Sequence, residues 1–347
     1  MNRLRVWVTA SAVAASVAGI AAAGRDSFKE FLAAKVDAAN KANAKVVQGT
    51  DGWLFFVPEL RHLSLGTFWG DAAASVSKAS SPQRADPLPA ILDFKDQLTK
   101  AGIDLLIVPV PGKAAIYPGR IDRDIVATDG ARLDDSDAAF YEVLRQNGVN
   151  VVDLVPAFLQ AKKDHPDQPL YSKEDTHWSG YGIAVAALEI AAQVRKEAWF
   201  VGVPQMKFTT QTAPVSVTGD LVDMVTGPKP GPENVVLTAV KDAKGAPLQS
   251  WRQSPLVLLG DSHNLIYSVG EDMLAVSSGL PENLAADIGF PADVVAVRGS
   301  GATPARVNLA RRADNLAGKK MVVWCFSVRE FTEGQGWAKV PVIKPAQ

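Results

Sequence analysis

Apolar side chains along this chain recur with two periods, one suited to helices and one to covered strands, and the two alternate. Between Asp26 and Lys45 they fall at Phe28, Leu32, Val36 and Ala39, which predicts a helix. Gly49-Thr50-Asp51-Gly52 reads as a turn, and Trp53-Leu54-Phe55-Phe56-Val57 as a strand. Residues 71–85, rich in Ala, Ser and Lys, form either a helical insertion or a loose loop. From Asp86 the pattern is regular. Asp86 caps a helix with Pro87 near its first position, Leu88, Ile91, Leu92, Phe94 and Leu98 supply its apolar face, and Gly102 ends it. Residues 103–110 follow as a continuous apolar run whose one charge is Asp104, as expected of a strand covered on both faces. The unit then recurs. Residues 137–146 predict a helix stopped at Gly148, 149–154 a strand, 179–194 a helix, 255–259 a strand, 304–316 a helix and 320–326 a last strand. Residues 209–245, rich in Gly, Pro, Thr and Val, read as irregular β and loop structure inserted before the 255–259 strand. Alternating helices and uninterrupted apolar strands define an α/β fold, a mainly parallel sheet flanked by helices on both faces.

Composition changes this picture little. Apolar content of 47% and charged content of 21% are ordinary for a globular protein, and 347 residues suffice for one large α/β domain with appendages. A net charge of -1 gives no electrostatic case for nucleic acid as a partner. The one cysteine, Cys325, lies in the apolar run Val322-Val323-Trp324-Cys325-Phe326 and reads as a small buried hydrophobe. The N-terminus is more informative. Arg3 and Arg5 precede an uncharged stretch from Val6 to Ala23 that ends in Ala21-Ala22-Ala23, the layout of a secretory signal with an A-x-A cleavage site. The stretch is Ala-rich, while a spanning helix wants about 20 strongly apolar residues, so a cleaved signal is favoured over a retained anchor. In a bacterium the destination would be the periplasm. The expected organisation is a signal over residues 1–23, an N-terminal helix and hairpin over 24–85 packing on the main domain, and a catalytic domain over 86–347.

Reactive groups in open parallel sheets sit just past the carboxyl ends of strands, and two segments have the right residue types there. In Leu259-Gly260-Asp261-Ser262-His263-Asn264 a buried strand runs into Gly-Asp-Ser, which would present the Ser262 hydroxyl at the sheet edge and its own N–H to an oxyanion. The same tripeptide also suits an ordinary turn. In Asp175-Thr176-His177-Trp178-Ser179, Ser179 is a natural helix N-cap, and Asp175 and His177 are spaced to point the same way. A carboxylate beside an imidazole fixes its tautomer and stabilises its protonated form; a structural histidine at a helix entrance is the bland alternative. The chain holds four histidines. His165 lies in a polar loop and reads as solvated, His62 reads as surface or packing, and His263 is a poor base for Ser262 because adjacent side chains on an extended backbone point apart. Together the residues suggest Ser262 as nucleophile, His177 as general base and Asp175 as its orienting carboxylate, with no cofactor.

Two other readings stand beside this one. Asp175-x-His177 and Asp261-x-His263 repeat one spacing and could together bind a divalent metal, making a metal-dependent hydrolase with Ser262 a mere spacer. A non-catalytic carbohydrate-binding protein would draw on the eight tryptophans, although Trp53 and Trp324 sit in apolar strands and read as core.

The segments in order resemble one family. Gly49-Thr50-Asp51-Gly52-Trp53-Leu54-Phe55, Val108-Pro109-Val110-Pro111-Gly112-Lys113 with Ile116-Tyr117-Pro118, Asp175-Thr176-His177-Trp178-Ser179, Gly260-Asp261-Ser262, and Val322-Val323-Trp324 with Arg329-Glu330 are similar to the alginate O-acetyltransferase proteins of the AlgJ/AlgX type. The resemblance implies an SGNH-hydrolase-like domain and a periplasmic enzyme of exopolysaccharide biosynthesis that acetylates sugar hydroxyls of a polymer in transit. It implies a polysaccharide acceptor and an acetyl donor supplied through a membrane-bound O-acyltransferase partner. Ser262 matches the family's nucleophile, and Asp175 and His177 its Asp-x-His pair, in an Asp, His, Ser order that reverses the usual SGNH order. The short chain after Arg329-Glu330 makes the AlgJ-like branch the closer, without the extra carbohydrate-binding module of the AlgX branch. Lys113 and Arg329 lie in matching segments and are candidates to hold an anionic polymer; as plain sequence they are charges at strand ends. Alginate, another acidic exopolysaccharide and a cellulose-like chain all remain open, and a carbohydrate acetyl-esterase would use the same triad.

Overall fold

A computed structural model describes residues 10–123, 125 and 131–344, with side chains from Asp26 onward. The expected signal segment, residues 1–23, therefore lies outside the residues described in full. A helix runs from Ala10 to Lys41, and no helix among the described residues is long and apolar enough to cross a membrane. Phe28, Leu32, Val36 and Ala39 are all buried, and they join the same core cluster as the central sheet.

The sheet has five strands in the order β4-β3-β9-β7-β8: β3 (Asp104–Val110), β4 (Asn150–Val151), β7 (Leu256–Gly260), β8 (Asp293–Ala296) and β9 (Met321–Ser327). Every neighbouring pair is parallel. Central β9 pairs with β3 from Asp104↔Met321 to Val110↔Ser327 and with β7 from Leu256↔Met321 to Gly260↔Cys325. Its continuous apolar sequence follows from burial on both sides. Val323 and Cys325 face one core with the helices Leu154–Asp164, Gly180–Val194 and Leu280–Ile288. Val322, Trp324 and Phe326 face the other, with the helices Leu88–Lys100, Asp135–Gln146 and Thr303–Arg311. The fold is the expected α/β arrangement, helices covering both faces of a parallel sheet.

Several boundaries differ from the expected ones for physical reasons. The run 149–154 gives only the two-residue β4, because the Asp153 carboxylate accepts the Val155 N–H and starts the helix Leu154–Asp164. The helix expected to reach residue 316 stops at Arg311, and Ala313, Asn315 and Leu316 then take left-handed backbone conformations. Near the N-terminus β1 (Val46–Gln48) pairs antiparallel with β2 (Leu54–Phe56), and Pro58 opens a helix at Val57. Residues 71–85 form only short helical turns.

The largest difference is the segment 209–245. It is not irregular: β5 (Phe208–Val217) and β6 (Glu233–Asp242) form a long antiparallel hairpin in register from Phe208↔Asp242 to Val217↔Glu233. Its β-branched Thr and Val residues suit paired strands. Val235, Leu237 and Val240 point inward, and the hairpin packs on the helices Gly180–Val194 and Leu280–Ile288. The loop joining β5 to β6 is thereby held against the residues that precede Ser179.

Candidate active site

Ser262 follows β7 at the start of a single helical turn, Ser262–Asn264. The turn is tight because Gly260 lies against β9: a Cβ on Gly260 would fall inside the contact envelopes of the Cys325 carbonyl and the Asn264 amide. Gly260→Ala is expected to force the β7 and β9 backbones apart, cost about 3 kcal/mol and displace Ser262, seen as a lower Tm together with lost activity. Asp261 caps the turn. Its Oδ1 accepts from the His263 N–H at 2.9 Å and from His263 Nδ1 at 3.0 Å, and its Oδ2 accepts from the Ser327 N–H at 2.8 Å. The Ser262 N–H, first of its turn, has no acceptor among the described residues.

The segment 171–178 closes on itself through an antiparallel bridge between Tyr171 and Trp178. Ser179 then caps the next helix by accepting the Gly182 N–H. Within this loop Asp175 Oδ1 accepts from His177 Nδ1 at 2.5 Å and from the His177 N–H at 2.9 Å. His177 Nε2 lies 2.7 Å from Ser262 Oγ, although the two residues are 85 positions apart. An ionised carboxylate can only accept, so Nδ1 carries the proton and Nε2 is left to accept from the serine hydroxyl.

Electrostatics favour an ionised Asp175 and a more basic His177. Burial alone would raise the Asp175 carboxyl, but the charge and hydrogen bond of His177 and the N–H of Asp220 outweigh it and hold its pKa well below the usual carboxylate range. Burial alone would lower His177, but the Asp175 carboxylate outweighs it, with Asp220 adding to the pull, and the imidazole is raised. His263 behaves oppositely. Burial dominates the pull of Asp261, and the His177 and Arg329 charges add to it, so its pKa falls to about 4 and its ring is neutral at pH 7. That ring stands 4.7 Å from the ring of His177 and edge-on to Trp178 at 5.3 Å, bonded to Asp261 rather than Ser262.

The two Asp-x-His pairs do not pool into one four-residue set. Among the described residues, the donor atoms close enough to share a cation are those of Asp175, His177 and Asp220, within 4.8 Å of one another, while Asp261 and His263 bond each other. Ser262 and His177 line a cleft of about 720 Å³, together with Thr176, Asp220, Arg298 and Arg329. The Arg329 guanidinium lies over the Phe56 ring at 5.5 Å and donates to Ser327 Oγ at 3.2 Å.

Lys113 does not sit where an anionic polymer could meet it. It is 1% exposed, and its ammonium donates to three backbone carbonyls: Leu54 at 3.0 Å, Lys173 at 3.3 Å and Asp175 at 2.5 Å. A cation needs such partners once the chain places it inside. His62 is likewise internal, bonded to Thr332 Oγ1 and Asp137 Oδ1 at 2.9 Å each, while His165 is exposed beside Tyr181.

Two site residues carried no signal in the sequence. Glu233, the first residue of β6, accepts the Ser172 hydroxyl and the N–H groups of Lys173 at 3.0 Å and Glu174 at 3.1 Å. Asp220, in the hairpin loop, accepts the Thr176 N–H at 2.8 Å and the Thr176 hydroxyl at 2.6 Å. Both lie in a stretch whose composition suggested irregular β and loop structure, and their partners are more than forty positions away.

Residues 46–328 match the family model described as the SGNH hydrolase-like domain of acetyltransferase AlgX. The chain is 32% identical over 185 residues to the probable alginate O-acetylase AlgJ of Pseudomonas syringae pv. tomato, covering 52% of this chain and 41% of that protein. To the Pseudomonas aeruginosa protein of the same name it is 28% identical over 166 residues, covering 48% of this chain and 37% of that protein. The matched regions thus span well under half the length of these relatives. Among solved structures, the O-acetyltransferase domain of Pseudomonas putida AlgJ superposes with a TM-score of 0.60 at 24% identity, covering 83% of this chain and 92% of that one. Pseudomonas aeruginosa AlgX gives 0.57 at 18% identity, covering 81% and 61%. These likenesses show the fold. With the family model spanning most of the chain, from the first strand to the end of the central sheet, this protein belongs to the family of AlgX-type SGNH hydrolase-like acetyltransferase domains.

Proposed function

We propose that the protein is a periplasmic O-acetyltransferase that passes an acetyl group through Ser262 to sugar hydroxyls of an alginate-like exopolysaccharide. The observation that carries this reading is the unbroken chain of hydrogen bonds from the Asp220 N–H through Asp175 and His177 to Ser262, opening into a cleft. His177 Nε2 takes the hydroxyl proton as Ser262 Oγ attacks the acetyl carbonyl. The Ser262 N–H faces no competing acceptor among the described residues and can bond the oxyanion. Collapse of the tetrahedral intermediate breaks the bond to the donor's leaving group, which receives the proton from His177, and an acetyl-serine remains. A sugar hydroxyl then gives its proton to His177 and attacks that ester. The second collapse returns the proton to Ser262 Oγ and releases the acetylated sugar. General-base assistance is worth on the order of 10²–10⁴ in rate, and an oxyanion donor about 10²–10³.

Arg329 is the cation we assign to contacts with the acceptor, since it lines the cleft with Ser262. The acetyl donor is delivered by a membrane-bound O-acyltransferase partner. The test is incubation of the purified chain with 4-nitrophenyl acetate and a uronate oligosaccharide, with mass spectrometry of the products and a parallel sample in chelator. Acetylated oligosaccharide, formed equally with chelator, is the expected result. Free acetate as the only acetyl product would replace the transferase with an esterase, and loss of turnover in chelator would replace the serine mechanism with a metal-dependent one.

A further inference from the structure

Within that proposed reaction, we infer that Asp220 is a positioning residue, brought in by the β5–β6 hairpin to hold the Asp175–His177 segment and to place a second negative charge beside His177. The contacts are specific. Its N–H donates to Asp175 Oδ2 at 2.9 Å, its Oδ1 accepts the Thr176 N–H at 2.8 Å, and its Oδ2 accepts the Thr176 hydroxyl at 2.6 Å. The same Oδ2 stands 4.0 Å from His177 Nδ1. One residue therefore grips the loop on either side of the Asp175–Thr176 peptide and faces the imidazole as well.

The hairpin is keyed to this loop. A Cβ on Gly219 would overlap the Glu174 carbonyl and the Asp175 N–H, so the chain approaches as closely as backbone can, and the Leu221 N–H then donates to the Glu174 carbonyl at 3.1 Å. From the far side of the same loop, Glu233 takes the donors of residues 172–174. The loop that carries Asp175 and His177 thus has its polar groups bound by two carboxylates, one at each end of the connection between β5 and β6.

Four charged or titratable groups bear on His177. Asp175 is bonded to its Nδ1 and Asp220 lies at 4.0 Å; His263 stands ring to ring and is neutral; Arg329 opposes them weakly from the cleft. Asp175 cannot be changed without breaking the Nδ1 bond. Asp220 can, because its side chain is 39% exposed at the cleft and touches Thr176 rather than the imidazole. Removing its charge makes the protonated imidazole less stable, so His177 loses its proton at lower pH. The rate, which needs neutral His177, then rises at lower pH.

The experiment is the pH dependence of kcat/KM for 4-nitrophenyl acetate in the wild type and in Asp220→Asn, Asp220→Ala and Thr176→Val, each with a melting curve, and with Ser262→Ala as blank. Both Asp220 variants are expected to move the acid limb to lower pH. Their plateau should fall roughly tenfold, part of the ~10²-fold that misplacing a catalytic group by an ångström can cost. Thr176→Val, which loses the hydroxyl's contacts with Asp220 Oδ2 at 2.6 Å and His177 Nδ1 at 3.3 Å and keeps the charge, is expected to lower the plateau and to move the acid limb less than either Asp220 variant does. An unmoved limb in both Asp220 variants would overturn the charge role, and a plateau equal to wild type in all three would overturn the positioning role. Activity in the Ser262→Ala blank would instead sink the serine mechanism on which the inference rests.

Discussion

Ser262→Ala is expected to lower kcat for acetyl transfer by about 10⁴–10⁶ while leaving the melting temperature within a degree or two of wild type. The activity loss is large because the other groups act through that one oxygen. His177 Nε2 has Ser262 Oγ as its partner at 2.7 Å, and the Ser262 N–H can stabilise an oxyanion only if one forms there. The chain's thiol cannot substitute: Cys325 is fully buried in the central strand, and burial raises it well above the normal range. The stability effect is small because the hydroxyl lies at the cleft, where water can replace it on Nε2. His177→Ala should cost about as much, and the double variant little more, since the residues act as one unit. Asp175→Asn should cost about 10⁴. Its amide N–H would face Nδ1 and force the proton onto Nε2, the wrong nitrogen to accept from serine. A burst of 4-nitrophenolate with trapped acetyl-serine in wild type, absent from Ser262→Ala, is the decisive measurement. A Ser262→Ala enzyme that kept a tenth of the wild-type rate would put the nucleophile elsewhere.

Lys113→Met is expected to be the most damaging substitution away from the reacting atoms. Its length roughly matches lysine, so its end still meets the Trp53 and Phe55 rings, which the Lys113 ammonium faces at 5.9 and 5.7 Å. Lost are three hydrogen bonds to the Leu54, Lys173 and Asp175 carbonyls, which remain buried without a donor. The partial compensation of Glu59 is lost as well; that buried carboxylate accepts the Lys113 N–H at 2.7 Å and keeps Arg329 at 3.9 Å as its nearest cation. Removing one partner of a buried ionic cluster costs about 3–5 kcal/mol, or a Tm fall of about 5 °C at this chain length. Burial works to lower the Lys113 ammonium, and Glu59, Asp175, Asp220 and Glu233 work against it. Activity should fall with stability, because Lys113 holds the main chain of Asp175 itself. A melting curve and a 4-nitrophenyl acetate assay check both. A variant as stable and active as wild type would mean that the three carbonyls find other donors.

Much of the architecture was legible because its cause is local. A strand buried on both faces must be apolar throughout, and 105–110, 255–259 and 321–326 are; a helix laid on it must be apolar on one stripe, and 88–100 is. Gly260-Asp261-Ser262 announces a sharp exit from such a strand, and Asp175-x-His177 before Ser179 announces a carboxylate and an imidazole at a helix entrance. Those residue types and spacings are dictated within a few positions. The segment 149–154 misled for the same reason: a short apolar run suits either state, and only the Asp153 cap decides that Leu154 begins a helix.

What needed the tertiary structure is whatever depends on partners far along the chain. Ser262, at the end of β7, meets His177 across 85 positions, in a loop that the hairpin and Lys113 hold in place. Lys113 looks like a surface charge at a strand end until β2 and the 173–175 loop close over it and offer carbonyls. Asp220 and Glu233 sit in a stretch whose Gly, Pro and Thr content signals turns, yet pairing of β5 with β6 turns that stretch into the support for the Asp175–His177 loop. The sequence by itself determined the α/β sheet and the chemical types at its edge, because hydrophobic period and turn chemistry act between neighbours. The tertiary structure decided which charges are buried, which carboxylates reach the imidazole and how the hairpin supports the site, because those outcomes follow from contacts between segments that no local pattern encodes.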